Sequence, residues 1–469
     1  MSVVEERRAG TGLREVGTSR PRKDAWEKLR GQADYVGDIE VPGMLVGKVL
    51  RSQVPHGRIV SIDTAAAAEM KGVVAILTGQ DLLDLDPFFG HAIKDRPVIA
   101  IDRVRFHGEP VVAVAATDEA TADAALRTIF VEYEDLPVVD TIEKAIADEA
   151  PLLHEGPIRP GLFHGLGDLG ERDGNVAYRY VLESGDCARV AEGADIVVEG
   201  EYEFPAVYQY AMETHTTIAD FKPNEITLIA NCQHPYLTQA EIASLFEVPL
   251  GAVRIIVPYL GGGFGSKSYT KMEPLTVALS RKAQRPVRIA NRVDESMVTS
   301  RRHGMKAWMR TTAKADGTLV ARETRFWLDT GAYADNGPRV TATAADSAPG
   351  PYRWEAVDVE ANCVYCNTAP SGSYRAFGAT HLQWIGESQI DEVARRAGVD
   401  AVELRRRNLV VKGQPVRPDG TGKPLDADLI GDVQEVARAI GWGEPRRRWH
   451  GRGVSVGLLA AGAHPVSRA

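Results

Sequence analysis

Cysteine is scarce in this chain, with four residues in 469. That is too few for a disulfide framework. The only close pair, Cys363 and Cys366 in "CVYC", has no second pair or histidine cluster beside it to complete a metal site. It lies in "VDVEANCVYCN", which alternates like a strand, so both thiols are expected to pack as small hydrophobes. Long apolar runs are missing too: no span approaches the length of about 18 residues needed to cross a membrane, and "MSVVEERRAGTGLREVG" contains no apolar signal core. A cytoplasmic protein without a membrane span is expected. Positive charge is not in excess, at 55 Lys and Arg against 64 Asp and Glu, and no basic stripe interleaves with aromatics. Nucleic acid is therefore not an expected partner. The length suggests two to three domains of ordinary globular composition, with 44% hydrophobic and 25% charged residues.

A flexible arm is expected over residues 1–24, rich in Arg, Glu and Gly. A first domain over 25–145 closes with a strand, helix and strand in "PVVAVAATDEATADAALRTIFVEYE", the helix capped by Thr117. Residues 146–178 read as a linker or covering loop, whose His154 and His164 lack the spaced partners of metal ligands; a surface role or a local hydrogen bond is expected for both. A larger mixed region spans 179–412, and 413–469 form a C-terminal segment. Within the larger region, Thr238 and Glu241 fit a capping box ahead of Ile242, Leu245 and Phe246, and a strand over 253–259 follows. The helical pattern in "HLQWIGESQIDEVARRAG" ends at Gly398.

The strand over 253–259 delivers the chain to "LGGGFGSKS", Leu260 to Ser268. A phosphate loop needs Gly, four residues, then Gly-Lys-Ser/Thr, and here Ser266 separates Gly265 from Lys267. The dinucleotide fingerprint fails as well, since neither Gly261 nor Gly262 begins a G-x-G-x-x-G match. Glycines without side chains open their backbone N–H groups to a ligand. Phe264 among them suits a planar or metal-centred cofactor better than a phosphate. A second loop, "SGSYRAFGA", offers the Arg375 cation and the flat ring of Phe377, and Gln233 in "NCQHPY" supplies an amide able to donate to an oxo or hydroxyl group. Taken singly, these could equally be ordinary turns, with Gln233 solvated and Arg375 in a salt bridge.

Their order and phrasing weigh against that. With "GQADYVGDIEVPGMLVGKVLRS", "FHGEPVVAVAA", "VEYEDLP", "YLGGGFGSK", "DTGAYADNGP", "SYRAFGA" and "VELRRRNL" in sequence, the chain resembles the molybdenum-cofactor-binding large subunit of the xanthine dehydrogenase, aldehyde oxidase and carbon monoxide dehydrogenase family. The likeness runs from about residue 25 to the end. It implies an α+β fold, an α/β hammerhead domain followed by the first molybdopterin-binding domain. It also implies that Gly262, Gly263, Phe264 and Gly265 lie against the molybdenum end of the pterin, that Gln233 stands near an oxo ligand, and that Arg375 stabilises charge at the metal site. Phe377 and Ser268 then face substrate, and the pterin dithiolene holds molybdenum without a direct protein ligand.

The family's chemistry is oxidative hydroxylation of an N-heterocycle or aldehyde with water as oxygen source. The sequence stops where the family's second cofactor domain begins, so the general-base glutamate is expected on a second molybdopterin-binding subunit, as in nicotinate-dehydrogenase-like members with a split large subunit. This chain alone is expected to be inactive. No iron–sulfur ligand spacing or flavin fingerprint is present, which implies separate 2Fe–2S and FAD subunits. The pterin is expected as molybdopterin, with its cytosine dinucleotide form left open. Ala376 stands where carbon monoxide dehydrogenases carry a cysteine, and Ser268 where purine-oxidising members carry an acid; both substrates are disfavoured. A different class remains, a non-catalytic scaffold or assembly subunit of the same fold that has lost cofactor binding.

Overall fold

The computed structural model describes residues 18–162, 166, 169–422 and 424–459. His164 and most of the N-terminal arm lie outside these. A seven-stranded sheet runs in the order Val253–Ile256, Glu225–Ala230, Thr216–Lys222, Val287–Ala290, Leu45–Arg51, Pro110–Ala116, Val73–Leu77. The sequence divides the chain at residue 145, whereas this sheet joins strands from both sides of that division. The junction is the parallel pairing of Leu45 with Val287 through Gly47 with Ile289. Gly47 permits it, because a Cβ there would stand 2.6 Å from the Ile289 side chain.

The helix Glu273–Ala283 packs on this sheet and buries Leu275, Val277, Ala278 and Leu279 in its core. Burying an apolar side chain of that size contributes on the order of 1.5–3 kcal/mol, so the helix that follows the glycine loop is firmly seated. A second sheet of five strands runs Ile196–Phe204, Gly304–Ala313, Leu319–Gly331, Ala356–Tyr365, Val176–Ser184. Residues alternate along Gly304–Ala313, with Met305, Ala307 and Met309 turned into a core shared with the helices Gly337–Ser347 and Ala379–Ala397. That last helix ends as expected at Gly398, φ 65°, in the left-handed region glycine favours.

Three local expectations change. Asp118, not Thr117, caps Glu119–Thr128, accepting from the Thr121 N–H. The capping box at Thr238 and Glu241 does not form. The helix starts earlier, at Pro235, whose missing N–H costs nothing in a first turn. Thr238 is thereby buried inside it, and Glu241 accepts from the Gly90 N–H at 2.8 Å. The strand after this helix is short, Val253–Ile256, leaving 257–259 to lead into the loop. Cys363 and Cys366 are buried free thiols. His154 is buried rather than at the surface, its Nε2 bonded to the Ala332 carbonyl at 2.7 Å.

Candidate functional site

The glycine loop folds through two tight turns, Ser266 N–H to Gly263 carbonyl at 2.8 Å and Ser268 N–H to Gly265 carbonyl at 3.0 Å. Gly262, Phe264 and Gly265 have φ of 100°, 53° and 106°. A phenylalanine in the left-handed region is costly, and the cost is offset by the contacts on either side of it. Its ring folds back on the loop, so that a Cβ on Gly262 would meet it at 3.2 Å, yet the residue stays 50% exposed. The N–H groups of Gly262, Gly263 and Phe264 find no acceptor among the described residues. Three consecutive free donors on an exposed turn form a cradle for an electron-rich ligand.

Gln233 closes this loop from the side. Its own N–H donates to the Lys267 carbonyl at 2.8 Å, and its Oε1 accepts from the Gly265 N–H at 3.0 Å. Because the backbone donor claims the oxygen, the amide NH2 is left without a protein partner and remains able to donate outward. A Cβ on Gly263 would lie 2.4 Å from Gln233 Oε1. Glycine is therefore dictated there by the close approach of this amide.

The second loop docks on the first. Arg375 N–H donates to the Phe264 carbonyl at 3.0 Å, and a Cβ on Gly265 would lie 2.4 Å from the Ser373 carbonyl. Ala376, Phe377 and Gly378 all take positive φ, 73°, 49° and 79°, which brings Arg375 to the surface. Its guanidinium is exposed and has no hydrogen bond or ion pair among the described residues, so the salt-bridge alternative does not hold. Phe377 is half-buried and packs partly on the core beneath the helix Gly337–Ser347. Ser268, expected to face substrate, is instead buried in the loop, its carbonyl accepting from Lys271 Nζ at 3.0 Å. Gln233, the glycines and Arg375, 142 residues apart at the extremes by their numbering, thus converge on one surface.

Sequence reasoning missed the buried frame around them. Glu213 Oε2 accepts both the Gly261 N–H and Lys267 Nζ at 2.8 Å, and the Glu213 N–H returns to the Gly261 carbonyl at 3.2 Å. Burial pulls the Lys267 pKa down while Glu213 holds it up. Gln209 Nε2 donates to the Ser373 carbonyl at 2.9 Å. His215 bonds through Nε2 to the Ser266 carbonyl at 3.1 Å, and burial drives its pKa down to about 3, so it stays neutral. No local pattern announces these contacts, since their partners are dozens of residues away. Around the loop, Tyr210, Met212 and Phe264 leave apolar surface exposed. Among the described residues no group of three or more His, Cys, Asp or Glu side chains could hold a metal ion. A metal at this cradle would have to arrive with donors of its own.

Comparison with known proteins fits that geometry. The family described as "Molybdopterin cofactor-binding domain" matches residues 169–409, and "Aldehyde oxidase and xanthine dehydrogenase, a/b hammerhead domain" matches 30–137. The chain belongs to the xanthine dehydrogenase and aldehyde oxidase family of molybdopterin-binding subunits. It is 37% identical over 393 residues to a probable xanthine dehydrogenase subunit of Bacillus subtilis, covering 83% of this chain and 50% of that one. It is 31% identical to the nicotinate dehydrogenase large molybdopterin subunit of Eubacterium barkeri, covering 92% and 96%. Among solved structures, quinoline 2-oxidoreductase from Pseudomonas putida 86 superposes with a TM-score of 0.80 at 28% identity, over 91% of this chain and 54% of that one. Carbon monoxide dehydrogenase from Oligotropha carboxidovorans does so at 0.80 and 26%, over 91% and 54%. The chain thus spans about half the length of most relatives it matches. Among the described residues no helix is long and apolar enough to cross a membrane.

Proposed function

We propose that this chain is the N-terminal molybdopterin-binding half of a multi-subunit molybdenum hydroxylase that acts on an N-heterocycle or aldehyde with water as oxygen source. The observation that carries the reading is the cradle itself. Three N–H groups at Gly262, Gly263 and Phe264 without a protein acceptor, the Gln233 amide beside them and the unpaired Arg375 guanidinium stand together in adjoining loops of a chain from a cofactor-binding family. A molybdopterin, in its simple or cytosine dinucleotide form, fits a site rich in donors and lacking metal-ligating side chains.

When bound, that cofactor supplies the two-electron oxidation and the oxygen-transfer chemistry. This chain's residues supply position and field. The loop N–H groups and Gln233 Nε2 hold electron-rich ligand atoms by hydrogen bonds made without reorganisation. Arg375 places a permanent charge where negative charge develops on substrate. The Phe377 ring, held on its inner side by the core, offers an edge against which a flat substrate rests. A second molybdopterin-binding subunit supplies the general base and covers Tyr210, Met212 and Phe264, while 2Fe–2S and FAD subunits remove the electrons.

The test is turnover of the complex purified from its host, with quinoline, nicotinate and aromatic aldehydes in 18O-labelled water. Product bearing one labelled oxygen supports the reading. Unlabelled product, with the label entering only from 18O2, refutes it.

A further inference from the structure

Behind the glycine loop lies a largely enclosed cavity of about 20 Å³, walled by Arg51, Arg96, Glu109, Lys271, Asn291 and Thr299 among others. Its wall draws on both sides of the sheet junction, Arg51, Arg96 and Glu109 from one and Lys271, Asn291 and Thr299 from the other. Such a volume holds one or two particles the size of a water molecule.

The donors around it are not satisfied by protein. Arg51 gives Nη1 to the Gly108 carbonyl at 3.1 Å and Nη2 to Asn291 Oδ1 at 3.3 Å. Its Nε is buried with no hydrogen bond, and its charge is paired with Glu295 at 3.6 Å. Arg96 is only 9% exposed. It makes a single long hydrogen bond, Nη1 to the Thr299 carbonyl at 3.5 Å, and lies over the Phe89 ring. No carboxylate comes within ion-pair distance of it among the described residues. Lys271 is already paired with Asp335 at 2.6 Å.

Glu109, the one carboxylate in the wall, is committed elsewhere. Its Oε1 accepts from the Tyr333 hydroxyl and its Oε2 from the Arg105 N–H at 2.6 Å. Burial raises its pKa against the nearby Arg105 and Arg96 charges, and burial lowers that of Arg51 while Glu295 holds it up. A buried guanidinium without a carboxylate in ion-pair distance, as at Arg96, is costly. Water in the cavity would satisfy hydrogen bonds and leave the charge uncompensated.

We propose that this cavity is a binding site for a small monovalent anion of the halide class, chloride, held between Arg51 Nε and the Arg96 guanidinium. The anion neutralises the Arg96 guanidinium and ties the strand Leu45–Arg51 to the segment that carries Arg96. Lys271, in the same wall, holds the Ser268 carbonyl, so the site braces the loop from behind.

The experiment uses the purified complex. At fixed ionic strength, replacing sodium isethionate, whose anion is too large for the cavity, with sodium chloride should raise Tm by about 2 °C or more, with no such rise in Arg96→Met. Bromide-soaked crystals should give an anomalous peak bounded by Arg51 and Arg96. If Arg96→Met does not fold, the wild-type peak and chloride response decide together. A cavity holding only water, a peak without any Tm response, or a Tm response with no peak would each overturn the assignment.

Discussion

Gln233 and Gly265, 32 residues apart, are joined by a 3.0 Å hydrogen bond in which the side-chain carbonyl accepts a loop N–H. That bond claims the amide oxygen and leaves the NH2 without a protein partner among the described residues, free to donate to a ligand. Gln233→Glu keeps an acceptor for Gly265 and removes the outward donor. Unchanged Tm with at least a tenfold loss of turnover, about 1.4 kcal/mol of lost stabilisation, is the expected result. Unchanged turnover in the assembled enzyme would mean that the outward amide has no role.

Gly263→Ala would push a methyl into Gln233 Oε1, 2.4 Å away. The expected cost is about 1–3 kcal/mol in denaturant unfolding, together with reduced pterin content, because Gln233 must move. Gly251→Ala, where a Cβ meets nothing within 4 Å, serves as the control and should be near neutral.

Lys267 is buried against Glu213, their side chains 1% and 12% exposed. Glu213→Gln leaves that ammonium without a counter-charge and should destabilise the chain by about 3 kcal/mol. Adding Lys267→Met removes the stranded charge, and most of the stability should return. A double variant no more stable than the single one would show that Glu213 acts only through the Gly261 N–H.

Arg375→Ala should leave Tm within about 1 °C, since its exposed guanidinium has no hydrogen bond or ion pair among the described residues to lose. Turnover should fall at least tenfold, mostly in kcat.

Acid should loosen the fold in a defined window. Burial holds His154, His215 and His303 near a pKa of about 3, well below their ordinary value of 6.5. The unfolded chain therefore binds more protons between those limits. Stability from this source is complete above pH 6.5 and is lost as pH falls, by up to about 1.4 kcal/mol per unit for each histidine. Asp95, raised by burial to about 6, and Glu109, Glu241 and Glu273, also raised by burial, take up protons in the folded chain and oppose this loss at lower pH. Denaturant midpoints should fall as pH is lowered from 7 through 6, and His215→Gln should reduce that slope. A slope unchanged by His215→Gln would place that imidazole in contact with water.

Much of this architecture is legible in the chain because it is written locally. The pattern ending at Gly398 and the strand, helix and strand around Glu119–Thr128 depend on neighbours within a few residues. The glycines of the loop are visible as glycines, but the reason for two of them, the Gln233 amide and the Ser373 carbonyl, is tertiary. Thr238 and Glu241 mislead because a capping box is defined by spacing alone, and Pro235 supplies an earlier start. Glu213 is invisible because an ion pair with a partner 54 residues away leaves no periodic trace. The shared sheet escapes for the same reason, since Leu45 meets Val287 only in the folded chain.

The most direct measurement is molybdenum and pterin content of the complex carrying this chain, isolated from its native host, beside the same complex bearing Gly263→Ala. About one molybdenum and one pterin per copy of the chain, with marked loss in the variant, is predicted. An intact wild-type complex free of both, in a host actively supplying the cofactor, would contradict the account and leave the chain a scaffold with an inherited turn.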